Sequence, residues 1–402
     1  TVSDNMGGTG RQRFQITPVR RTGRSCRDGQ RLERQQSMRP EAKGIYPIMK
    51  ICMIVPNPAV KGGIASVVNG YRGSELEKKY DISYVESYRD GNKWQKLGKA
   101  LAGYGAFIRQ ILWNRPDIVH VHSSFGPSFY RKAPFIYLSG MCGIPVVNHI
   151  HGADFDEFYE KASAGKRRTI ARVYGRCTRL VVLSQEWKER IARIVPPGRI
   201  DILENYCTIP KEPYDSGRKS GQVLFVGELG HRKGCYDIPV ILEKIVEKAP
   251  SVHLVMAGDG ELEQVREAFA KRGLTSRVDF PGWVRGEEKR KLFRESAVFL
   301  FPSYQEGMPM AVLEAMSYGL GIVTTAVGGI PKLIRSGENG YIRQPGDVEA
   351  MAQDVAGLLT DTARCANLGA RAREEAIACY GRKQHLERLG MIYESVLRGG
   401  GK

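Results

Sequence analysis

From residue 49 onward the chain alternates short apolar runs with longer stretches in which apolar residues recur every three or four positions. Runs at 50–55, 82–85, 117–121, 145–150, 180–184 and 200–203 predict strands, and the stretches at 64–71, 93–113, 167–177 and 186–195 predict helices between them. The polar, turn-rich segment 211–221 interrupts this pattern and reads as a linker. The pattern then restarts, with strands predicted at 222–226, 252–257, 277–280, 298–301 and 321–325. Strands alternating with helices predict parallel sheets covered on both faces. The fold class is therefore α/β, with two Rossmann-like doubly wound domains at 49–212 and 222–381 joined by a linker at 213–221. Their sheets would face a central cleft with their carboxyl ends, where such sheets bind ligands.

Residues 1–48 lack this pattern. They are rich in Arg, Gly, Ser and Gln and carry ten Lys/Arg against four Asp/Glu, which predicts a disordered basic extension. Met38 and Met49 would each serve as a native start. It stays open whether the extension is a translated upstream stretch or a basic arm for a membrane or nucleic acid.

A length of 402 residues suits two domains of roughly 150–200 residues. No apolar run reaches the roughly 18–20 residues that cross a bilayer. The nearest, 133–147, is broken by Pro134, Gly140, Gly143 and Pro145. The first 40 residues lack the apolar centre of a secretory signal. Eight cysteines are scattered without a C-x-x-C pair, which predicts free thiols in a reducing, cytoplasmic compartment.

The net charge of +18 is compatible with nucleic acid, an anionic membrane surface or phosphorylated substrates. Between Asn92 and Arg115, Trp94, Leu97, Leu101, Tyr104, Phe107, Ile108, Ile111 and Leu112 interleave with Lys93, Lys96, Lys99 and Arg109. Such a basic amphipathic helix can lie on an anionic membrane. It can equally pack its apolar face on a sheet, with the lysines in solvent.

Five constellations could carry chemistry. The strongest is Glu306-Gly307-Met308-Pro309-Met310-Ala311-Val312-Leu313-Glu314, directly after an apolar strand. Pro309 suits a first helical turn and Gly319 a C-terminal cap, so a helix is expected at about 309–318. Its free amides would face the cleft and could bind a diphosphate. Glu314, more than a turn in, could accept hydrogen bonds from vicinal hydroxyls. From spacing alone, Glu306 as a helix-dipole partner and Glu314 as a solvated residue fit as well.

The second constellation is Phe225-Val226-Gly227-Glu228-Leu229-Gly230-His231-Arg232-Lys233-Gly234, a strand followed by a glycine loop. Arg232 or Lys233 could neutralise a departing phosphate. It is not a Walker loop, because G-x-x-x-x-G-K-[ST] is absent. The third is Lys61-Gly62-Gly63, where Gly62 and Gly63 let backbone amides approach a ligand. The fourth comprises His120-Val121-His122 and His149-Ile150-His151, each with two imidazoles on one strand face. A metal site is conceivable, but no carboxylate or cysteine completes a ligand set, so no metal is assigned. His151, at a strand's carboxyl end, is the ligand-contacting candidate. The basic helix is the fifth.

Together these motifs resemble glycosyltransferase family 4, the retaining group with the GT-B fold, over about residues 49–397. Glu306 and Glu314 match its E-x7-E motif, Phe225–Gly234 its diphosphate loop, Gly62-Gly63 its first glycine loop and His151-Gly152 its histidine motif. Phe280-Pro281-Gly282-Trp283 and Val327-Gly328-Gly329-Ile330-Pro331 also resemble family segments. The resemblance implies a hexose-type sugar moved from a nucleoside diphosphate to a glycan or lipid-linked acceptor in cell-surface polysaccharide synthesis. Lys233 would stabilise the leaving diphosphate and Glu314 would hold the ribose hydroxyls. Glu306 and the amides of Gly307, Met308 and Pro309 would contact sugar and phosphate, and His151 the sugar. Gly258 and Asp259 would lie near the nucleotide, and a final helix at 382–397 would return to the first domain.

Three positions depart from the family pattern. Glu228 stands where Arg is usual, Tyr206 where Gly often follows Asn205, and Lys332 where Glu is common. The implied reaction is a front-face displacement that needs no metal cofactor. The expected partners are a nucleotide sugar, the acceptor and an anionic membrane on its cytoplasmic face, and not nucleic acid. The alternatives are a GT-B nucleotide-sugar epimerase and a basic nucleic-acid-binding protein. The latter leaves the two glutamates and the glycine loops unexplained.

Overall fold

The computed structural model describes residues 48–211 and 217–399. The extension predicted at 1–48 falls almost wholly outside the described residues, and so do residues 213–216 of the linker at 213–221. The last three residues of that linker, Lys219-Ser220-Gly221, belong instead to a strand.

The first lobe holds β1 (Lys50–Pro56), β2 (Asp81–Tyr88), β3 (Ile118–Ser123), β4 (Val146–Ile150), β5 (Arg179–Val182) and β6 (Ile200–Ile202). They form one parallel sheet in the order β2-β1-β3-β4-β5-β6. The second lobe holds β7 (Lys219–Val226), β8 (His253–Ala257), β9 (Val278–Gly282), β10 (Ser296–Phe301), β11 (Gly321–Thr325) and β12 (Tyr341–Arg343). Its parallel sheet runs β12-β11-β10-β7-β8-β9. Every residue of β3, β4, β10 and β11 is buried, as strands covered by helices on both faces must be.

In each sheet the strand order reverses beside the first strand, at β1/β3 and at β7/β10. Loops leaving the carboxyl ends on either side of such a reversal diverge and open a crevice. The loops carrying Gly62, Lys233 and Glu306 leave β1, β7 and β10 at these reversals, and the loop carrying His151 leaves β4, one strand beyond β3.

The helix Lys93–Trp113 has the bounds the periodicity predicts, because Asn92 and Gln95 form a reciprocal capping box at its start. It buries Ala100, Gly103 and Phe107. Gly103 is required, since a Cβ there would sit 2.8 Å from the Glu86 carbonyl oxygen. Trp94, Leu97, Leu101, Ile108, Leu112 and Trp113 stay exposed. The helix Met310–Ser317 begins one residue later than expected. Pro309 is its N-cap with extended ψ, not its first turn, and Gly319 follows the C-cap at φ 62°. A helix at Pro127–Met141, with Pro134 inside it, was not anticipated.

The final helix, Arg382–Gly399, packs on the first lobe. Leu386, Leu389, Tyr393 and Val396 join Ile51, Met53 and Val55 of β1 in one core cluster. The chain passes between lobes twice at one place, where the Cys207 amide donates to the Tyr380 carbonyl at 2.8 Å. Among the described residues Cys52, Cys142, Cys177, Cys207, Cys235 and Cys365 are free thiols, whereas Cys379 is disulfide-bonded, against the expectation for it. No helix among the described residues is long and apolar enough to cross a membrane.

Candidate active site

A cleft of about 780 Å³ separates the lobes, within the range of small-molecule sites. Its walls bring together all the site candidates read from the sequence: Gly62, Gly63, His151, Arg232, Lys233, Gly258, Asp259, Glu306, Gly307, Met308, Pro309 and Glu314.

The glycine loop follows β7. It turns through a single 3₁₀ turn, His231–Lys233, and closes with Gly234 at φ 70°, where only glycine also avoids the Pro302 carbonyl. Lys233 Nζ reaches Glu306 Oε1 at 2.5 Å, with side-chain exposures of 13% and 7%. Ser303 Oγ donates to the same oxygen at 2.7 Å, and Lys233 lies 4.9 Å from the Phe301 ring centre. Arg232 pairs with Glu228 at 2.9 Å, and Glu228 is 64% exposed. The unusual acid thus points outward and takes part of the charge of the neighbouring guanidinium.

Glycine permits close backbone packing between the loops that follow β7 and β8 on this same wall. A Cβ on Gly258 would lie 1.8 Å from the Gly227 carbonyl oxygen. Asp259 pairs with Lys61 of the first lobe, and this hydrogen bond, with the Gly260 amide, holds its carboxyl below the usual range. Gly307 faces His151 and Gly152 across the cleft, its virtual Cβ 3.3 Å from the His151 carbonyl oxygen. Asn205 Nδ2 donates to the Met308 carbonyl at 2.8 Å, and Gln305 Nε2 to the Ala153 carbonyl at 3.1 Å. Glu314 is held by Lys289 at 2.6 Å.

Histidines continue the site into the first lobe. His151 Nε2 is 3.0 Å from His122 Nδ1, and His120 Nδ1 is 2.6 Å from the Tyr393 hydroxyl of the final helix. Burial, reinforced by His385, lowers His151 to about 3, and burial likewise lowers His120 to about 3. His122 and His149 are also pushed well below 6.5, mainly by burial. These imidazoles are therefore neutral. Nitrogens of His120, His122 and His149 lie within 4.8 Å of one another, and among the described residues no carboxylate or thiolate joins them.

The other two departures are also absorbed locally. The Tyr206 hydroxyl donates to the Val67 carbonyl at 2.6 Å, filling space against Gly70. Lys332 pairs with Glu204, which also receives Arg388 Nη1 at 2.5 Å. Sequence reasoning missed Lys289, Lys61, Ser303 and Asn205 as site residues. Lys289 sits in the run Glu287-Glu288-Lys289-Arg290-Lys291, where no charge stands out. Ser303 carries no signal until the second lobe folds around Glu306, and the reach of Asn205 to Met308 shows only when the lobes come together.

Two facing Rossmann-like lobes with a glycine-lined cleft of paired charges define the GT-B fold. Residues 67–206 match the family described as Glycosyltransferase Family 4, and residues 210–375 the one described as Glycosyl transferases group 1. The spore coat protein SA of Bacillus subtilis is 32% identical over 388 residues, covering 86% of this chain and 99% of that protein. The glycogen synthase of Mycobacterium tuberculosis is 24% identical over 317 residues, covering 75% of each. The structure of Anabaena HepE in complex with UDP-glucose superposes with a TM-score of 0.68 at 17% identity, over 86% of this chain and all of that one. The chain belongs to glycosyltransferase family 4 and is a glycosyltransferase.

Proposed function

We propose that this enzyme transfers a hexose-type sugar, with retention, from a nucleoside diphosphate to a glycan or lipid-linked acceptor in cell-surface polysaccharide synthesis. The observation that carries the reading is the convergence of Lys233, Glu306 and the start of the helix Met310–Ser317 on one cleft wall, with Glu314 a turn further in. The diphosphate sits against Lys233, Arg232 and the amides of Gly307 to Met310, and Glu314 accepts from the ribose hydroxyls. Neutral His151 faces the sugar from the opposite lobe.

The acceptor hydroxyl attacks the anomeric carbon on the face from which the diphosphate departs. A new C–O bond forms, the C–O bond to phosphate breaks, and a donor phosphate oxygen takes the acceptor's proton. Lys233 and the helix amides stabilise the growing negative charge, which preorganised groups do well in a closed, dry site. These cations fill the role a divalent ion would otherwise take. NMR of the product's anomeric configuration and turnover in excess chelator test this reading. Inversion refutes retention, and loss of turnover restored by Mg²⁺ or Mn²⁺ refutes metal independence.

The enzyme works on the cytoplasmic face of an anionic membrane, to which the helix Lys93–Trp113 binds. Trp94 and Trp113 are 80% and 76% exposed at its two ends, with Leu97, Leu101 and Leu112 between them and Lys93 and Lys96 alongside. Aromatic anchors at the ends and cations beside an apolar stripe suit an interface of lipid headgroups. Co-flotation with vesicles containing phosphatidylglycerol, lost on Trp94→Ser with Trp113→Ser, tests it. Equal flotation of the double variant refutes it.

A further inference from the structure

Most charges in the cleft cancel. Lys61 faces Asp259, Arg232 faces Glu228, Lys233 faces Glu306 and Lys289 faces Glu314. Arg131 and Lys132, in the wall of the first lobe, are the exceptions. Among the described residues neither has an acidic group within 4 Å, although both line the cleft. Arg131 is half-buried and lies 4.4 Å from the centre of the Tyr88 ring, with its Nε enclosed and without a hydrogen-bond partner. Its backbone carbonyl accepts from the Tyr104 hydroxyl at 3.0 Å, which fixes the turn of helix below it.

Lys132 is only 3% exposed, and its Nζ meets two neutral acceptors, the Ile54 carbonyl at 3.0 Å and Ser87 Oγ at 2.5 Å. Burial lowers it well below 10.5, and Arg131 adds to that push. Asp154, the cleft carboxylate without a cation, is exposed and pairs with neither. A half-buried guanidinium beside a buried amine, with no anion at hand, makes charge on the pair costly, and that cost falls when a ligand brings the missing charge. Ser124 and Ser128 line the same wall and supply hydroxyl donors beside it.

We propose that Arg131 and Lys132, with Ser124 and Ser128, form an anion subsite for the acceptor that takes a phosphate or diphosphate group. The inference deepens the glycosyltransferase reading and rests on it: the second lobe grips the donor's diphosphate, and this wall of the first lobe grips a second one. The forked guanidinium, pinned on Tyr88, reads the oxygens directly, while Lys132 supplies charge from the floor.

The test is calorimetric titration of the full chain with inorganic pyrophosphate, in the presence of whichever of UDP or GDP binds at saturation. One further pyrophosphate site is expected. Arg131→Met should weaken it about 10- to 100-fold while Arg131→Lys restores part of the loss. The affinity for the nucleoside diphosphate, measured alone, should be the same in Arg131→Met and the parent, which also certifies the fold. Absence of the second site, or an affinity indifferent to Arg131→Met, overturns the proposal. If neither UDP nor GDP binds, ADP, CDP and dTDP take their place; failure of all five defeats the donor reading by itself, and the effect of Arg131→Met on pyrophosphate still decides this one. Displacement of pyrophosphate by farnesyl diphosphate assigns the group to a lipid-linked acceptor, and displacement by glucose 1-phosphate to a soluble one. Failure of both to displace it overturns the acceptor assignment.

Discussion

Replacing Lys233 by methionine separates what the buried ion pair does for stability from what it does for catalysis. The substitution keeps the stem but strands the Glu306 carboxylate, 7% exposed, with only Ser303 Oγ left as a donor at 2.7 Å. Removing one partner of a buried pair costs about 3–5 kcal/mol, because the remaining charge is desolvated and unmatched. The Ser303 hydrogen bond puts the expectation near the lower end, about 3 kcal/mol. At roughly 2 °C per kcal/mol for a protein of this size, Tm should fall by about 6 °C. Adding Glu306→Gln removes the stranded charge, so the double variant should regain most of that loss.

Catalysis should behave differently. Loss of one preorganised charge stabiliser costs on the order of 10²–10³ in kcat, and the double variant should be no better than Lys233→Met. Scanning calorimetry and donor turnover on the parent, both single variants and the double read the two effects side by side. Recovery of activity together with stability would show that Lys233 serves only to neutralise Glu306. Undiminished turnover in Lys233→Met would remove the diphosphate role altogether.

Glu314→Ala should raise the donor KM about 10- to 100-fold, the worth of hydrogen bonds to a charged group, and a 2′-deoxyribose donor should discriminate less between parent and variant. Equal discrimination would refute a ribose contact. Lys289→Met should produce a smaller change in the same direction, since it leaves Glu314 in place but frees it to move; steady-state kinetics decides. Acid should destabilise the fold through His120, His122, His149 and His385, which burial keeps neutral, His120 at about 3 and His385 at about 4. The unfolded chain takes up these protons near pH 6.5, so their contribution is complete above that and declines as pH falls toward 4. The slope is up to about 1.4 kcal/mol per pH unit for each histidine. Urea unfolding at pH 7.5, 6 and 5 should show it, with a shallower slope in His120→Phe; a flat profile in the parent would refute the neutral cluster.

The alternation of apolar runs with helical periodicity was enough to place eleven of the strands and to anticipate two facing sheets, because a buried parallel strand has to be apolar on both faces. β12 was missed because three residues, only one of them fully buried, leave no pattern. β7 starts earlier than its apolar core, since polar Lys219 and Ser220 occupy its exposed entry. The helix Pro127–Met141 was hidden by Pro134, which sits where a helix interior ordinarily excludes it. At the site, the two glutamates, the glycine loops and His151 carried their own spacing. Arg131 and Lys132 did not, because what distinguishes them is the absence of a nearby acid, and that is a property of the folded surroundings.

The helix Arg382–Gly399 follows the second lobe in the chain but covers the sheet of the first. During synthesis the N-terminal half therefore waits, with a strip of β1 uncovered, until nearly all of the second half has left the ribosome. A fragment ending before residue 382 would present that strip to any passing chain, so the two lobes are not modules that can be cut apart and expressed side by side.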